Sequence, residues 1–163
     1  MTPVRSVAAG LKDPALDMAP ATREKGMDGC VFCKMVTGEI PTTKIYEDEA
    51  VLAFLDIGPI SDGHTLVIPK QHCTKVHECD PETLADVSRR LGRIAGAVQT
   101  ALDAEGYNVL SNNGAAAGQV VEHLHFHIIP RRAGDGVFTH WPSFRYPEGQ
   151  MEDIAARIRR QLK

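Results

Sequence analysis

Between Glu122 and Pro130 the chain alternates: His123, His125 and His127 stand at i, i+2 and i+4, with Leu124, Phe126 and Ile128 between them. Successive side chains of a strand leave opposite faces, so this period puts three imidazoles on one side of a sheet and three apolar groups on the other. Imidazoles spaced by about 7 Å on one face, each able to serve as nucleophile, acid, base or metal ligand near neutral pH, make this the stretch the remaining chain must fold around. A lone histidine carries little weight, because histidine is intermediate in burial. Three in register carry a good deal.

The other elements follow from period and punctuation. Cys30 to Gly38 reads as a short helical turn stopped by glycine, after which Glu39-Ile40-Pro41 leads into extended chain. Tyr46–Asp48 and Ala50–Leu55 read as a first hairpin, and the turn formers from Asp56 to Gly63 as a loop ahead of the strand His64–Ile68, which ends at Pro69. From Pro81 to about Glu105, Leu84, Val87, Leu91, Ile94, Ala95 and Val98 recur at three and four. That spacing predicts one long amphipathic helix with Asp80 as N-cap and Gly106 as its stop. Tyr107–Leu110 resumes the strands, Ser111–Gln119 is a long turn, and the histidine strand follows. The tail from Pro147 to Lys163 places Met151, Ile154, Ala155, Ile158 and Leu162 on one helical face. The pattern predicts an α+β fold: an antiparallel sheet of about five strands, with one long helix and short N- and C-terminal helices packed mainly on one face.

With 163 residues, a single domain is expected over residues 28–163. Residues 1–27 mix Pro, Ala, Gly and both charges without a period and read as a disordered extension or added leader, with Met27 as an alternative start. The net charge of −3 offers no general field for nucleic acid or an anionic membrane, and no apolar run is long enough to span a bilayer. A cytoplasmic protein is expected. Four cysteines, at 30, 33, 73 and 79, are too few for a secreted disulfide scaffold and in a reducing compartment point to metal or redox chemistry.

Cys30-x-x-Cys33 alone fits a redox pair or two buried thiols as well as a metal. A structural zinc needs two further donors to complete a tetrahedron, and His72 and His123 are candidates for them. On that reading Cys73 and Cys79 remain as core or surface thiols, with Cys73 a minor rival to His72.

The run His123-Leu124-His125-Phe126-His127-Ile128-Ile129 resembles the signature of the histidine-triad nucleotide-binding family, and its third histidine resembles the Hint-like branch. Phe32, Gly38–Pro41, Tyr46–Asp48, Ala53–Ile57, Gly63–Lys70, Asn112–Gly114 and Gly118-Gln119 extend the likeness over about residues 28 to 132. The resemblance implies transfer of a nucleotidyl group through a covalent histidine intermediate, with His125 as nucleophile. His127 and His64 would stand beside the phosphate, and Gln119, with the amides around Gly118 and Gln119, would reach the same group. Asp56 would accept from the ribose hydroxyls, Asn112 would lie in the nucleotide site, and Phe32, Ile40, Phe54 and Ile57 would enclose the base, preferring a purine by stacking. The same resemblance implies a structural Zn²⁺ held by Cys30, Cys33, His72 and His123, as in bacterial members, and a homodimer that joins sheets edge to edge. Val120 departs from the family's common Ser or Thr, removing one hydrogen bond to phosphate of order 1 kcal/mol. His140-Trp141-Pro142 resembles a tail that in some relatives crosses to the partner.

The function implied is hydrolysis of a purine nucleotide derivative, foremost a nucleoside 5′-monophosphoramidate. Two other readings stand beside it: a hydrolase or phosphorylase of dinucleoside polyphosphates, and a nucleotide-binding regulator with incidental turnover. Singly, His64 would serve to cap a strand, Asp56 to start an Asx-turn and Gln119 to fill a solvated turn. A zinc module for DNA is disfavoured by the acidic balance.

Overall fold

The computed structural model describes residues 29–138 and 142–162, so the N-terminal extension and the His140-Trp141 pair lie outside the described residues. Five antiparallel strands form one sheet in the order β1-β2-β3-β5-β4, with β1 at Lys44–Glu47, β2 at Val51–Leu55, β3 at Thr65–Pro69, β4 at Gly106–Leu110 and β5 at Phe126–Arg131. Helix α1 spans Val31–Val36, α2 spans Pro81–Ala101 and α3 spans Gln150–Gln161.

The central strands are apolar on both sides because both sides are covered. Val51, Ala53, Val67 and Ile128 face α2, where Val87, Ile94, Ala95 and Val98 form the buried stripe predicted from the period. Their alternating neighbours Leu52, Phe54, Leu66 and Ile68 face α1 and pack with Phe32, Cys30 and Cys33. Helix α1, though only six residues long, therefore closes the face opposite the long helix, so the helices do not gather mainly on one face as the pattern predicts. Full burial of one such side chain is worth about 1.5–3 kcal/mol, so these two layers dominate the stability of the domain.

Boundaries differ from the sequence reading at informative places. Asp80 caps α2 as expected, accepting from the Glu82 amide at 2.9 Å, but the helix ends at Ala101 rather than near Glu105. Gly106 opens β4, whose register with β5 claims the chain before another helical turn can form. Likewise β5 is paired only from Phe126, because His123 and His125 lie in the bent approach to the strand. The alternation nevertheless holds there: Leu124 is buried, and the imidazoles of 123, 125 and 127 turn toward Phe32 and His64. Gly63 enters β3 at φ 76°, where a Cβ would collide with the Leu102 side chain, and this turn delivers His64 to the sheet. Helix α3 buries none of its residues; Met151, Ile158 and Leu162 stay exposed.

Candidate active site and metal cluster

A cavity of about 690 Å³ opens between α1, the loop after β2 and the turn before β5. Phe32 and Phe54, both buried and 5.6 Å apart in an edge arrangement, form its floor. Ile40, Ile57, Asp56, Gly118, Val120, His125 and His127 line the rest. Ile57 and Val120 are almost fully exposed, at 97% and 90%, and form apolar lips at the mouth.

The three histidines of the alternating run have different surroundings. His125 is buried, its ring 5.3 Å from that of Phe32, and its Nδ1 donates to the His123 carbonyl at 2.7 Å. A carbonyl only accepts, so this bond fixes the proton on Nδ1 and leaves Nε2 bare on the ring that borders the cavity. His127 shares a 2.9 Å hydrogen bond through Nδ1 with His64 Nε2, while its own Nε2 is buried without a partner among the described residues. Burial, with His125 and His64 close by, pushes His127 down to about 4, so it meets a phosphate as a neutral ring. Burial lowers His64 as well, against the opposing pull of Asp56, whose Oδ2 lies 3.6 Å from His64 Nδ1.

His123 turns away from the cavity. Its Nε2 donates to the Pro69 carbonyl at 2.9 Å, which bares Nδ1 toward Cys30, Cys33 and His72. Distances from His123 Nδ1 are 3.5 Å to Cys30 Sγ, 3.6 Å to Cys33 Sγ and 3.3 Å to His72 Nδ1, and Cys33 Sγ lies 3.3 Å from His72 Nδ1. A tetrahedron with metal–sulfur bonds of about 2.3 Å and metal–nitrogen bonds of about 2.1 Å has edges of roughly 3.4–3.8 Å, so the four donors already stand near the spacing of one metal ion. Burial first, then the adjacent Cys30 thiol, raise Cys33 to about 12. A divalent cation would supply the positive charge that two adjoining thiolates lack.

Several expected site residues stand elsewhere. Gln119 does not line the cavity; its Oε1 accepts from the Gly114 amide at 2.7 Å and its Nε2 donates to the carbonyls of Thr74 at 2.8 Å and Val121 at 3.1 Å. Nor are the neighbouring amides free: Gly118 N donates to Ala115 O and Gln119 N to Gly114 O within the turn. Among the described residues the Asn112 side chain reaches only the Gly118 carbonyl, donating from Nδ2 at 3.5 Å. Short polar side chains in a tight turn satisfy the turn first, so these residues shape the wall instead of entering the cavity. Cys73 and Cys79, expected as separate thiols, are joined in a disulfide with Cα atoms 5.2 Å apart, because the 3₁₀ turn at Val76–Glu78 folds the segment back on itself. The bridge removes Cys73 as an alternative to His72. Sequence reasoning also passed over Val31, Met35, Thr42, Thr43, Leu66 and Val121, which share the lining. For Met35 the signal was its place one turn after Phe32 on α1.

A family model described as the HIT domain matches residues 37–134. Adenosine 5′-monophosphoramidase hnt1 of Schizosaccharomyces pombe is 42% identical over 135 residues, covering 82% of this chain and 98% of that protein. Among solved structures, SMU.412c from Streptococcus mutans superposes with a TM-score of 0.80 at 40% identity, covering 83% of this chain and 87% of that one. A zinc-bound histidine triad family protein from Mycobacterium smegmatis gives a TM-score of 0.65 at 40% identity, covering 83% and 99%.

Proposed function

The chain belongs to the HIT domain family, and from that premise we propose that it is a purine nucleotide hydrolase acting through a nucleotidyl-histidine intermediate, with a nucleoside 5′-monophosphoramidate as its substrate. The observation that carries this reading is the tie from His125 Nδ1 to the His123 carbonyl, which bares the opposite nitrogen beside the cavity. His125 Nε2 attacks the α-phosphorus, the new N–P bond replaces the bond to the leaving amine, and the amine takes its proton from solvent while His127 Nε2–H serves as its hydrogen-bond donor. Water then attacks the same phosphorus and gives up a proton to solvent, the N–P bond breaks with its electron pair returning to His125 Nε2, and the nucleotide leaves as its monophosphate. His64 holds His127 in place. The base lies on Phe32 and Phe54 between Ile40 and Ile57, and Asp56 accepts from the ribose hydroxyls. Gln119, Asn112 and Gly118 keep the turn that borders the phosphate.

The hnt1 relative is named for AMP phosphoramidate hydrolysis, which supports this choice over the dinucleoside polyphosphates. Comparing kcat/KM for adenosine 5′-phosphoramidate and for diadenosine polyphosphates tests it. A preference of at least about tenfold for the phosphoramidate is expected, corresponding to about 1.4 kcal/mol of transition-state binding; the reverse order would transfer the assignment to the polyphosphates.

Zn²⁺ is the metal we assign to Cys30, Cys33, His72 and His123, supported by their donor set, their spacing and the zinc-bound relative. The family reading further includes a cytoplasmic homodimer. Among the described residues no helix is long and apolar enough to cross a membrane. Strand β4 ends the sheet, with Tyr107 and Val109 exposed at 40% and 41%, and is the edge we assign to the partner. Sedimentation should return twice the chain mass, and Val109→Arg should shift that toward the monomer. A wild-type monomer at micromolar concentration would remove the dimer from the reading.

A further inference from the structure

His127 meets the cavity with a nitrogen whose role is decided on the far side of His64. One proton is shared between His127 Nδ1 and His64 Nε2, 2.9 Å apart. At the other edge of the His64 ring, Nδ1 is faced by two groups with opposite demands. The Ile60 backbone N–H, 3.4 Å away, donates to it, whereas Asp56 Oδ2, at 3.6 Å, attracts a proton onto it. A neutral imidazole carries one proton, so these demands exclude each other. If His64 carries its proton on Nδ1, its Nε2 accepts from His127, and His127 presents a bare Nε2 to the cavity. If His64 Nδ1 accepts from Ile60, its Nε2–H donates to His127 Nδ1, and His127 presents Nε2–H. The atom affected is the buried, unpartnered His127 Nε2. Burial keeps both rings neutral, which is the state in which the choice exists.

Asp56 is placed to tip that choice. Its Oδ1 is taken by the Gly58 amide at 2.8 Å, so Oδ2 is the oxygen shared between His64 and whatever enters the cavity that Asp56 lines. We propose that Asp56 is a positioning residue which, through His64, couples ribose recognition to the proton-donating form of His127. This rests on the nucleotide reading above. When ribose hydroxyls donate to Oδ2, its pull on His64 weakens and the Ile60 N–H becomes the stronger partner. His64 Nδ1 then releases its proton to solvent, the His127 Nδ1 proton passes to His64 Nε2, and His127 Nε2 takes a proton from water. Charge is unchanged: three proton transfers break two N–H bonds and form two. The hydrogen-bond donor to the leaving amine thus forms only with a ribose in place, and a compound without the hydroxyls binds beside a ring that offers a lone pair to phosphate.

Two measurements test the coupling. In ¹⁵N long-range correlation spectra of the zinc-loaded protein, adenosine should convert His127 from the Nδ1–H to the Nε2–H tautomer, and 2′,3′-dideoxyadenosine should leave it unconverted. In steady-state assays the dideoxy phosphoramidate should lose roughly 10- to 100-fold in kcat at saturation, within what one preorganised hydrogen-bond donor contributes. In Asp56→Asn, whose amide can keep the Gly58 bond and donate to His64 Nδ1, the kcat ratio between ribo and dideoxy substrates should fall toward one. A dideoxy loss confined to KM, or adenosine that binds with His127 unconverted, overturns the coupling and leaves the nucleotide reading standing. Adenosine and AMP that perturb no resonance of the cavity residues overturn the nucleotide reading and the coupling with it.

Discussion

His125→Ala is expected to lower turnover of adenosine 5′-phosphoramidate by at least about 10⁴-fold, roughly 5.4 kcal/mol in activation free energy, while AMP still binds within a few-fold of wild type. The asymmetry follows from the division of the cavity. On the proposed reading, affinity comes mainly from Phe32, Phe54, Ile40 and Ile57, which line the cavity and which the substitution leaves alone, whereas the attacking nitrogen comes from His125. Neither neighbour can replace it. His123 has Nε2 committed to the Pro69 carbonyl and Nδ1 turned into the cysteine cluster. His127 has Nδ1 committed to His64, and in the proposed reactive form its Nε2–H donates to the leaving group. Rapid-quench mass analysis of wild type should find one adenylyl group on the peptide containing residue 125, absent from the variant. Turnover by the variant within about 100-fold of wild type would show that water attacks the phosphorus directly, with His125 only a donor.

The residues that decide this chemistry were legible because strand periodicity and imidazole chemistry are both local. Alternation from His123 to Ile128 fixed which groups share a face, although pairing begins only at Phe126, and the long helix was readable from Val87, Ile94, Ala95 and Val98. What the sequence hid was set by contacts distant along the chain. The end of α2 depends on the register of β4 with β5, and the role of Gln119 depends on the Thr74 carbonyl, 45 positions away. The Cys73–Cys79 bridge depends on a 3₁₀ turn that no hydrophobic period announces. Resemblance supplied the nucleotide and the zinc. Geometry then gave the three histidines different surroundings, His123 beside the cysteines, His125 tied to a carbonyl at the cavity and His127 paired with His64, a division that spacing alone leaves open.

Metal removal is the second large effect expected. Exhaustive chelation, or Cys30→Ser combined with Cys33→Ser, should release about one zinc per chain and lower the melting temperature by more than about 10 °C, since 1 kcal/mol corresponds to roughly 2–8 °C in domains of this size range. Zinc binding in small modules supplies about 10–16 kcal/mol of folding free energy. This domain has its own two-sided core, so only part of that is at stake. The cluster ties together the start of α1, the segment after β3 and the approach to β5, three stretches far apart in sequence. Without a cation, the folded state must bury two thiols beside two imidazoles, and burial with its partner Cys30 already holds Cys33 up near 12. Loss should extend to catalysis, because the His123 whose imidazole faces the metal site also supplies the carbonyl that orients His125. The signature of that route is a fall in kcat that exceeds any rise in KM, reversed on adding back zinc. Acid should bring about the same release, as thiolates and neutral imidazoles are the ligating forms and protons compete for them. A chelated protein that is metal-free by elemental analysis yet melts and turns over like the untreated one would mean that the four donors are a packed cluster with no metal of their own.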